Sequence, residues 1–208
     1  MMRFPIASEG WPFILPAFAL VVLCAVLHWR EAAGVALVLA LFVTWFFRDP
    51  VRAIPADPET LVSPADGRVI EILPQAGGGT QISIFLSIFN VHVNRSPVSG
   101  EVVDVTRRPG KFLAAWKHEA SSDNAQASVT VHTPRGDVRF VQITGLIARR
   151  IVCYLAPGAL VARGERYGLI RFGSRVDLFL PPAAAPAVRV GDRVHGGSDV
   201  IARWRIAL

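Results

Sequence analysis

Asp137-Val138-Arg139-Phe140-Val141-Gln142-Ile143 alternates apolar and polar side chains through Phe140 and is rich in β-branched and aromatic residues, so it reads as a strand. Ser128-Val129-Thr130-Val131-His132 precedes it with the same period of two, across a turn at Thr133-Pro134-Arg135-Gly136. Further out, Arg68-Val69-Ile70-Glu71-Ile72 and Gln81-Ile82-Ser83-Ile84-Phe85-Leu86 repeat the pattern. Asp-Gly, Gly-Gly, Pro-Gly and Arg-Gly pairs punctuate these runs, and Gly77-Gly78-Gly79 reads as a hairpin loop. Residues 61–208 are therefore expected to form a mainly β domain of short strands in a sheet or barrel-like system, α+β at most, large enough for one core. Only Lys111 to Glu119 looks helical.

The N-terminal quarter obeys a different pattern. The 208 residues are 52% hydrophobic and 18% charged, with a mean hydropathy of +0.41, which is too apolar for a disordered chain and unusual for a purely soluble one. The surplus lies in Trp11 to Leu27 and Ala32 to Phe47, neither holding a charged residue, with only His28, Trp29, Arg30 and Glu31 between. As helices these runs span roughly 26 and 24 Å, a little under the ~30 Å hydrocarbon core. Residues 1–47 are thus expected to be a membrane-inserted helical hairpin, with Trp11, Trp29, Trp45 and Phe46 available for the interfaces. A signal peptide beginning at Met1 to Arg3, or a hairpin buried in a soluble protein, would leave the same pattern. Arg3, Arg48 and Arg52 place the open end of a hairpin, and so the β domain, in the cytoplasm. Arg48-Asp49-Pro50 through Ala56-Asp57-Pro58 opens a proline-rich linker, residues 48–60, that cannot continue a helix.

Charge and metal-ligand spacing narrow the chemistry. Lysine plus arginine (22) exceed aspartate plus glutamate (16), a net charge of +6 spread along the chain, which suits a phospholipid surface as naturally as a nucleic acid. Cys24 and Cys153 lie in unlike segments, against a disulfide framework. His92, His118, His132 and His195 have no metal-ligand spacing, so no metal site is expected, and no glycine-rich phosphate cradle precedes a helix.

The unusual stretch is Arg171-Phe172-Gly173-Ser174-Arg175-Val176-Asp177, a Gly-Ser pair inside a strand-like run. A β-bulge explains such a pair on its own, and Gly197-Ser198 is a second pair, in what reads as a mobile glycine turn. Other blocks change the weighing: Ser63-Pro64-Ala65-Asp66-Gly67-Arg68-Val69, Phe89-Asn90-Val91-His92-Val93-Asn94-Arg95-Ser96-Pro97, Gly145-Leu146-Ile147-Ala148-Arg149-Arg150-Ile151-Val152 and Gly164 to Asp177. In this order and spacing, from about Phe46 to the C-terminus, the chain closely resembles the short, archaetidylserine decarboxylase-like form of the phosphatidylserine decarboxylase proenzymes. It departs from that family in having Asn124-Ala125-Gln126 where an Asn-Glu-Arg triplet is common, and Phe89 where longer bacterial relatives carry a further histidine.

The resemblance implies a lyase of phospholipid biosynthesis that makes its own electron sink instead of binding pyridoxal phosphate. Ser174 would attack the Gly173 carbonyl, the ester would eliminate, and the small chain would begin with a pyruvoyl group, leaving 1–173 and 174–208 as a heterodimer with scope for a higher oligomer. Phosphatidylserine would then lose carbon dioxide through a Schiff base with that group and leave as phosphatidylethanolamine, at the inner membrane, with no metal and no nucleic acid involved. By the same resemblance His92 is the base for Ser174 and Asp66 the partner of His92, while Arg149 and Arg175 are candidates for holding the substrate phosphodiester or carboxylate. Arg149 and Arg150, adjacent on a strand, cannot both face one site. A membrane-anchored, lipoyl-like β binding module is the competing reading, but no lysine sits in a matching hairpin tip. A cell-wall metallopeptidase is the other, and the histidine and aspartate constellation that it needs is missing from the sequence.

Overall fold

The computed structural model describes residues 5–116, 119–146, 150–171 and 173–205. The chain divides into two compact units, the first ending at Val51 and the second running from Arg52.

The first unit is a pair of helices, α1 (Trp11–Val26) and α2 (Arg30–Phe46). Pro12 opens α1, where its missing N–H costs nothing. The helices are joined through His28, whose φ of 58° lets the chain reverse within three residues. Ile14, Cys24, Ala36 and Ala40 are buried, whereas Leu15, Val22, Val26, Val38 and Leu39 lie on the outside. Among the described residues one helical run, Ser8–Val26, is long and apolar enough to cross a membrane; α2 has 17 residues and is shorter.

The second unit is mainly β. Its first strands are β1 (Thr60–Val62), β2 (Gly67–Pro74), β3 (Thr80–Leu86), β4 (Val93–Arg95) and β5 (Gly100–Arg108). They are followed by β6 (Gln126–His132), β7 (Val138–Ile143), β8 (Arg150–Cys153), β9 (Leu160–Val161) and β10 (Arg166–Arg171). The last are β11 (Ser174–Leu180), β12 (Ala184–Pro186), β13 (Arg193–Val194) and β14 (Val200–Trp204). An eight-stranded sheet runs in the order β13-β2-β3-β11-β7-β6-β5-β9, and three-stranded sheets are ordered β4-β10-β8 and β1-β14-β12. In β6, Ala127, Val129 and Val131 are buried while the residues between them are partly exposed, as a period of two requires. β11 is antiparallel to β3 on one side and to β7 on the other, and its Val176 and Leu178 sit in the core with Ile84 and Phe140.

Two expectations are corrected. The short helical turn in this region is Ala120–Asp123, and Lys111 to Trp116 is not helical; residues 117–118 of the expected Lys111 to Glu119 helix lie outside the described residues. The buried Asn124 explains the shift: its Oδ1 accepts from the Leu113 N–H (2.8 Å), while its Nδ2 donates to the Leu113 and Thr144 carbonyls (2.8 Å each). That side chain satisfies backbone groups that a helix would have used. The turn at Gly197-Ser198 is pinned, with the Gly197 N–H on the Ser63 carbonyl (2.8 Å) and a Cβ at Gly197 meeting Arg95 Cδ at 2.7 Å.

Candidate active site

The strand-like run through Gly173 is two strands, and the Gly-Ser bond lies where the chain leaves one sheet for another. β10 ends at Arg171 in the sheet with β4 and β8, and β11 begins at Ser174 in the eight-stranded sheet. Gly173 makes the turn with φ of +64°, a left-handed conformation for which glycine carries no Cβ penalty. β7 pairs with β11 as far as Ile143 opposite Arg175, and two residues beyond, Gly145 faces Gly173 so closely that an added Cβ would lie 2.2 Å from the Gly173 carbonyl oxygen. That carbonyl is therefore held in one place.

Ser174 is fully buried, and among the described residues its Oγ has no hydrogen-bond partner. A buried hydroxyl left unpaired costs ~1–3 kcal/mol, so its persistence calls for an explanation. The Gly173 N–H donates to Nε2 of His92 at 3.3 Å, and Nδ1 of His92 lies 2.9 Å from the Asn90 carbonyl. A carbonyl only accepts, so Nδ1 carries the proton and the Nε2 lone pair faces the Gly-Ser segment. The Ile170 N–H meets the His92 carbonyl at 3.4 Å, tying the histidine loop to β10 just before the turn.

Asp66 stands elsewhere in the arrangement. Its carboxylate takes both hydrogen bonds of Arg52 (3.0 and 2.8 Å) and the Gly196 N–H (2.8 Å), not the His92 ring, so the Nδ1 partner of His92 is a backbone carbonyl where the resemblance implied Asp66. Arg175 also differs from expectation. Its fully buried guanidinium meets Asp177 (2.6 Å), Glu71 (2.5 Å) and Ser83 Oγ (2.7 Å), while Asp177 accepts from Gln81 (3.1 Å) and Ser121 (2.7 Å). An arginine so enclosed fixes the start of β11 rather than reaching for a ligand. Arg149 lies outside the described residues, and Arg150 is exposed at the start of β8. Asn124, which ties Leu113 to Thr144 beside Gly145, was visible in the sequence only as a departure from a family triplet.

A small apolar cavity of about 160 Å³ adjoins Gly173, walled by Phe85, Ile88, Ala115, Trp116 and Leu146. Among the described residues no three His, Cys, Asp or Glu side chains are grouped to hold a metal ion.

A left-handed glycine whose carbonyl packs against Gly145, a buried hydroxyl on the next residue and a histidine Nε2 that accepts from the glycine N–H are brought together at this bond. The chain belongs to the phosphatidylserine decarboxylase family, whose model matches residues 39–202. It is 50% identical over 210 residues to the phosphatidylserine decarboxylase proenzyme of Symbiobacterium thermophilum, covering 97% of each chain. It is 46% identical to the proenzymes of Pelobacter propionicus, over 96% of each chain, and Geotalea uraniireducens, over 95% of each.

Proposed function

We propose that this protein is a self-processing phosphatidylserine decarboxylase whose reactive group is made from Ser174. The observation that carries the reading is the Ser174 Oγ: buried, unpaired among the described residues and next to a carbonyl held against Gly145. Such an orphaned hydroxyl fits a side chain that is to become a pyruvoyl group. Attack of Oγ on the Gly173 carbonyl carbon forms an ester as the Gly173–Ser174 amide breaks, the Oγ proton passing to the freed Ser174 nitrogen through a base, for which the Nε2 of His92 is the candidate. Loss of the Ser174 α-proton then expels the Gly173 carboxylate, and water displaces the nitrogen as ammonia to leave the pyruvoyl ketone. Asn90 holds that ring in the required tautomer. Asp66 acts at one remove, fastening the Gly196 turn of the 174–208 segment to β2 and Arg52.

The pyruvoyl group supplies the electron-accepting carbonyl to which the amine of the serine headgroup adds so that carbon dioxide can leave. The protein's part is to hold that terminus, which β3, β7 and the Arg175 network do, and to keep water from it, which the apolar walls around Gly173 favour. The helices of the first unit are proposed to anchor the enzyme in the inner membrane, with the β domain cytoplasmic; the apolar outer surface of α1 and α2 supports this.

Intact-mass analysis of the purified protein tests the reading. Two chains are expected, parting between Gly173 and Ser174, with the small chain blocked to Edman degradation and released by reductive amination. Ser174→Ala is expected to stay at 22.6 kDa with no carbon dioxide release, whereas Ser198→Ala is processed normally. A small chain beginning with an ordinary serine amine would overturn the proposal.

A further inference from the structure

Beside the apolar cavity at Gly173 lies a larger one, about 550 Å³, that shares Phe85 and Ser87 with it as a wall. Its other side is cationic. Arg193 on β13 stands directly opposite Arg68 on β2, and both side chains are exposed and line the cavity with His195. Like charges directly opposite on an antiparallel pair are destabilising. Neither arginine meets a carboxylate among the described residues: Asp192 accepts from the Arg189 N–H, Asp66 is taken by Arg52 and Gly196, and Asp199 holds the His195 Nδ1 at 3.0 Å. Two unpaired guanidiniums facing one cavity have the donor set of a site for a doubly hydrogen-bonding oxyanion.

The register says where that site lies. Arg193, Arg68, Phe85 and Arg175 stand in one row across β13, β2, β3 and β11, so their side chains leave the same face of the sheet, the face opposite to the Ser174 side chain and the one on which Phe85 lines the apolar cavity at Gly173. β2 is two strands from β11, about 10 Å between backbones, and an arginine side chain shortens the gap. The cavity is also bounded by Asn90, whose carbonyl holds His92. In phosphatidylserine the phosphorus is three bonds beyond the reacting α-carbon, so with its amine at residue 174 the phosphate stays within a few bond lengths of the cleavage site.

Resting on the decarboxylase reading above, we infer that Arg68 and Arg193 form the subsite for the phosphodiester of the lipid substrate. It is distinct from the arginines of the 149–150 and 175 positions.

The test uses the processed full-length enzyme and monomeric short-chain phosphatidylserine, so that no membrane surface contributes. Arg68→Ala and Arg193→Ala are each expected to be cleaved normally and to raise KM roughly tenfold, with kcat within about twofold of the parent, as loss of uniform binding predicts. Arg189→Ala removes a charge from the same hairpin outside the cavity, and its KM is expected to stay at the parent value. Calorimetric titration with glycerophosphoethanolamine, which has the phosphodiester and nothing left to decarboxylate, reads the site without turnover, and both cavity variants should bind it roughly tenfold more weakly. An unchanged KM and unchanged titration overturn the inference. So does an equal effect of Arg189→Ala, which would mean diffuse charge, or an effect confined to binding of anionic vesicles, which would assign the arginines to the bilayer. A parent enzyme that binds glycerophosphoethanolamine but releases no carbon dioxide would sink the decarboxylase reading instead and leave the phosphodiester site standing.

Discussion

Replacing Gly145 with alanine puts the positional argument for self-cleavage to a direct test. A Cβ built on Gly145 lies 2.2 Å from the Gly173 carbonyl oxygen, and Cβ atoms essentially never approach another heavy atom within 3.0 Å. One of the two backbones must move by about 0.8 Å at the least. The same Cβ would also lie 3.1 Å from the Ala115 Cβ, which adds to the crowding. The carbonyl to be attacked is therefore displaced relative to Ser174 Oγ, and a misplacement near 1 Å costs intramolecular chemistry on the order of a hundredfold, or about 2.7 kcal/mol of barrier. The cost to the fold should be smaller, about 1–3 kcal/mol for an overpacked position.

The assay is a time course of newly made protein on denaturing gels, following the 22.6 kDa chain into its two fragments, with circular dichroism melting as the check on folding. Gly145→Ala is expected to fold with a lowered Tm and to cleave about a hundred times more slowly. Gly34→Ala, where an added Cβ meets nothing within 4 Å, is the matched control and should cleave at the parent rate. A folded Gly145→Ala that cleaved as fast as the parent would show that the held carbonyl is irrelevant to the reaction.

His92→Ala should leave the chain uncleaved while folded, and cleavage at the parent rate would remove the histidine from the mechanism. Arg52→Ala strands the Asp66 carboxylate in a largely buried place, an expected loss of about 3–5 kcal/mol readable by urea denaturation, whereas a change below ~1 kcal/mol would mean that Asp66 is well solvated. The Tyr167 hydroxyl is buried without a hydrogen-bond partner among the described residues, so Tyr167→Phe should hold or raise stability by ~1 kcal/mol. Burial also pushes the pKa of Tyr167 well above 10.0, so the contribution of the neutral phenol is complete below pH 10 and is lost as pH rises beyond it; the parent should destabilise more than the Phe variant above that pH, and parallel curves would refute the assignment. Deleting residues 1–47 should release the protein from membranes and leave cleavage intact, and persistence on membranes in carbonate would place the anchor elsewhere.

The β character of the second unit was legible because the alternation in β6 and β7 is strong and local. The insertion of β11 between β3 and β7 was not, since strand order depends on partners far apart in the chain. The same limit explains Arg175. Next to the Gly-Ser pair it looked like a hand for the substrate, but its partners Glu71 and Ser83 are 104 and 92 residues away, and no local pattern announces that they converge. The Gly-Ser pair was singled out through neighbouring blocks of sequence, while the sheet change at Gly173 that gives it a distinctive backbone was hidden in a run that reads as one strand. Arg68 and Arg193 were invisible for the opposite reason: each is an unremarkable strand cation until the register sets them face to face.

The placement of the bond also governs how the two chains sit once it is cut. Everything after Ser174 remains threaded through the second unit: β11 lies between β3 and β7, β13 pairs with β2, and β14 pairs with β1. Val176 and Leu178 are fully buried, and the Arg175 guanidinium is bound to Glu71 and Ser83 of the preceding segment. A cut at 173–174 thus removes one covalent link from a strand whose two ladders stay intact, and the new terminus has little freedom to wander. Gly173 on the other side of the cut lies outside any ladder: its N–H donates to His92 and its carbonyl packs against Gly145, and it turns with a left-handed φ and forms part of the wall of the apolar cavity. If the bond is cut as proposed, the small chain is expected to keep its place in both ladders while Gly173, part of the cavity wall, is the end freed to move. A bond one residue later would have cut inside the paired strand, where both new ends would be held.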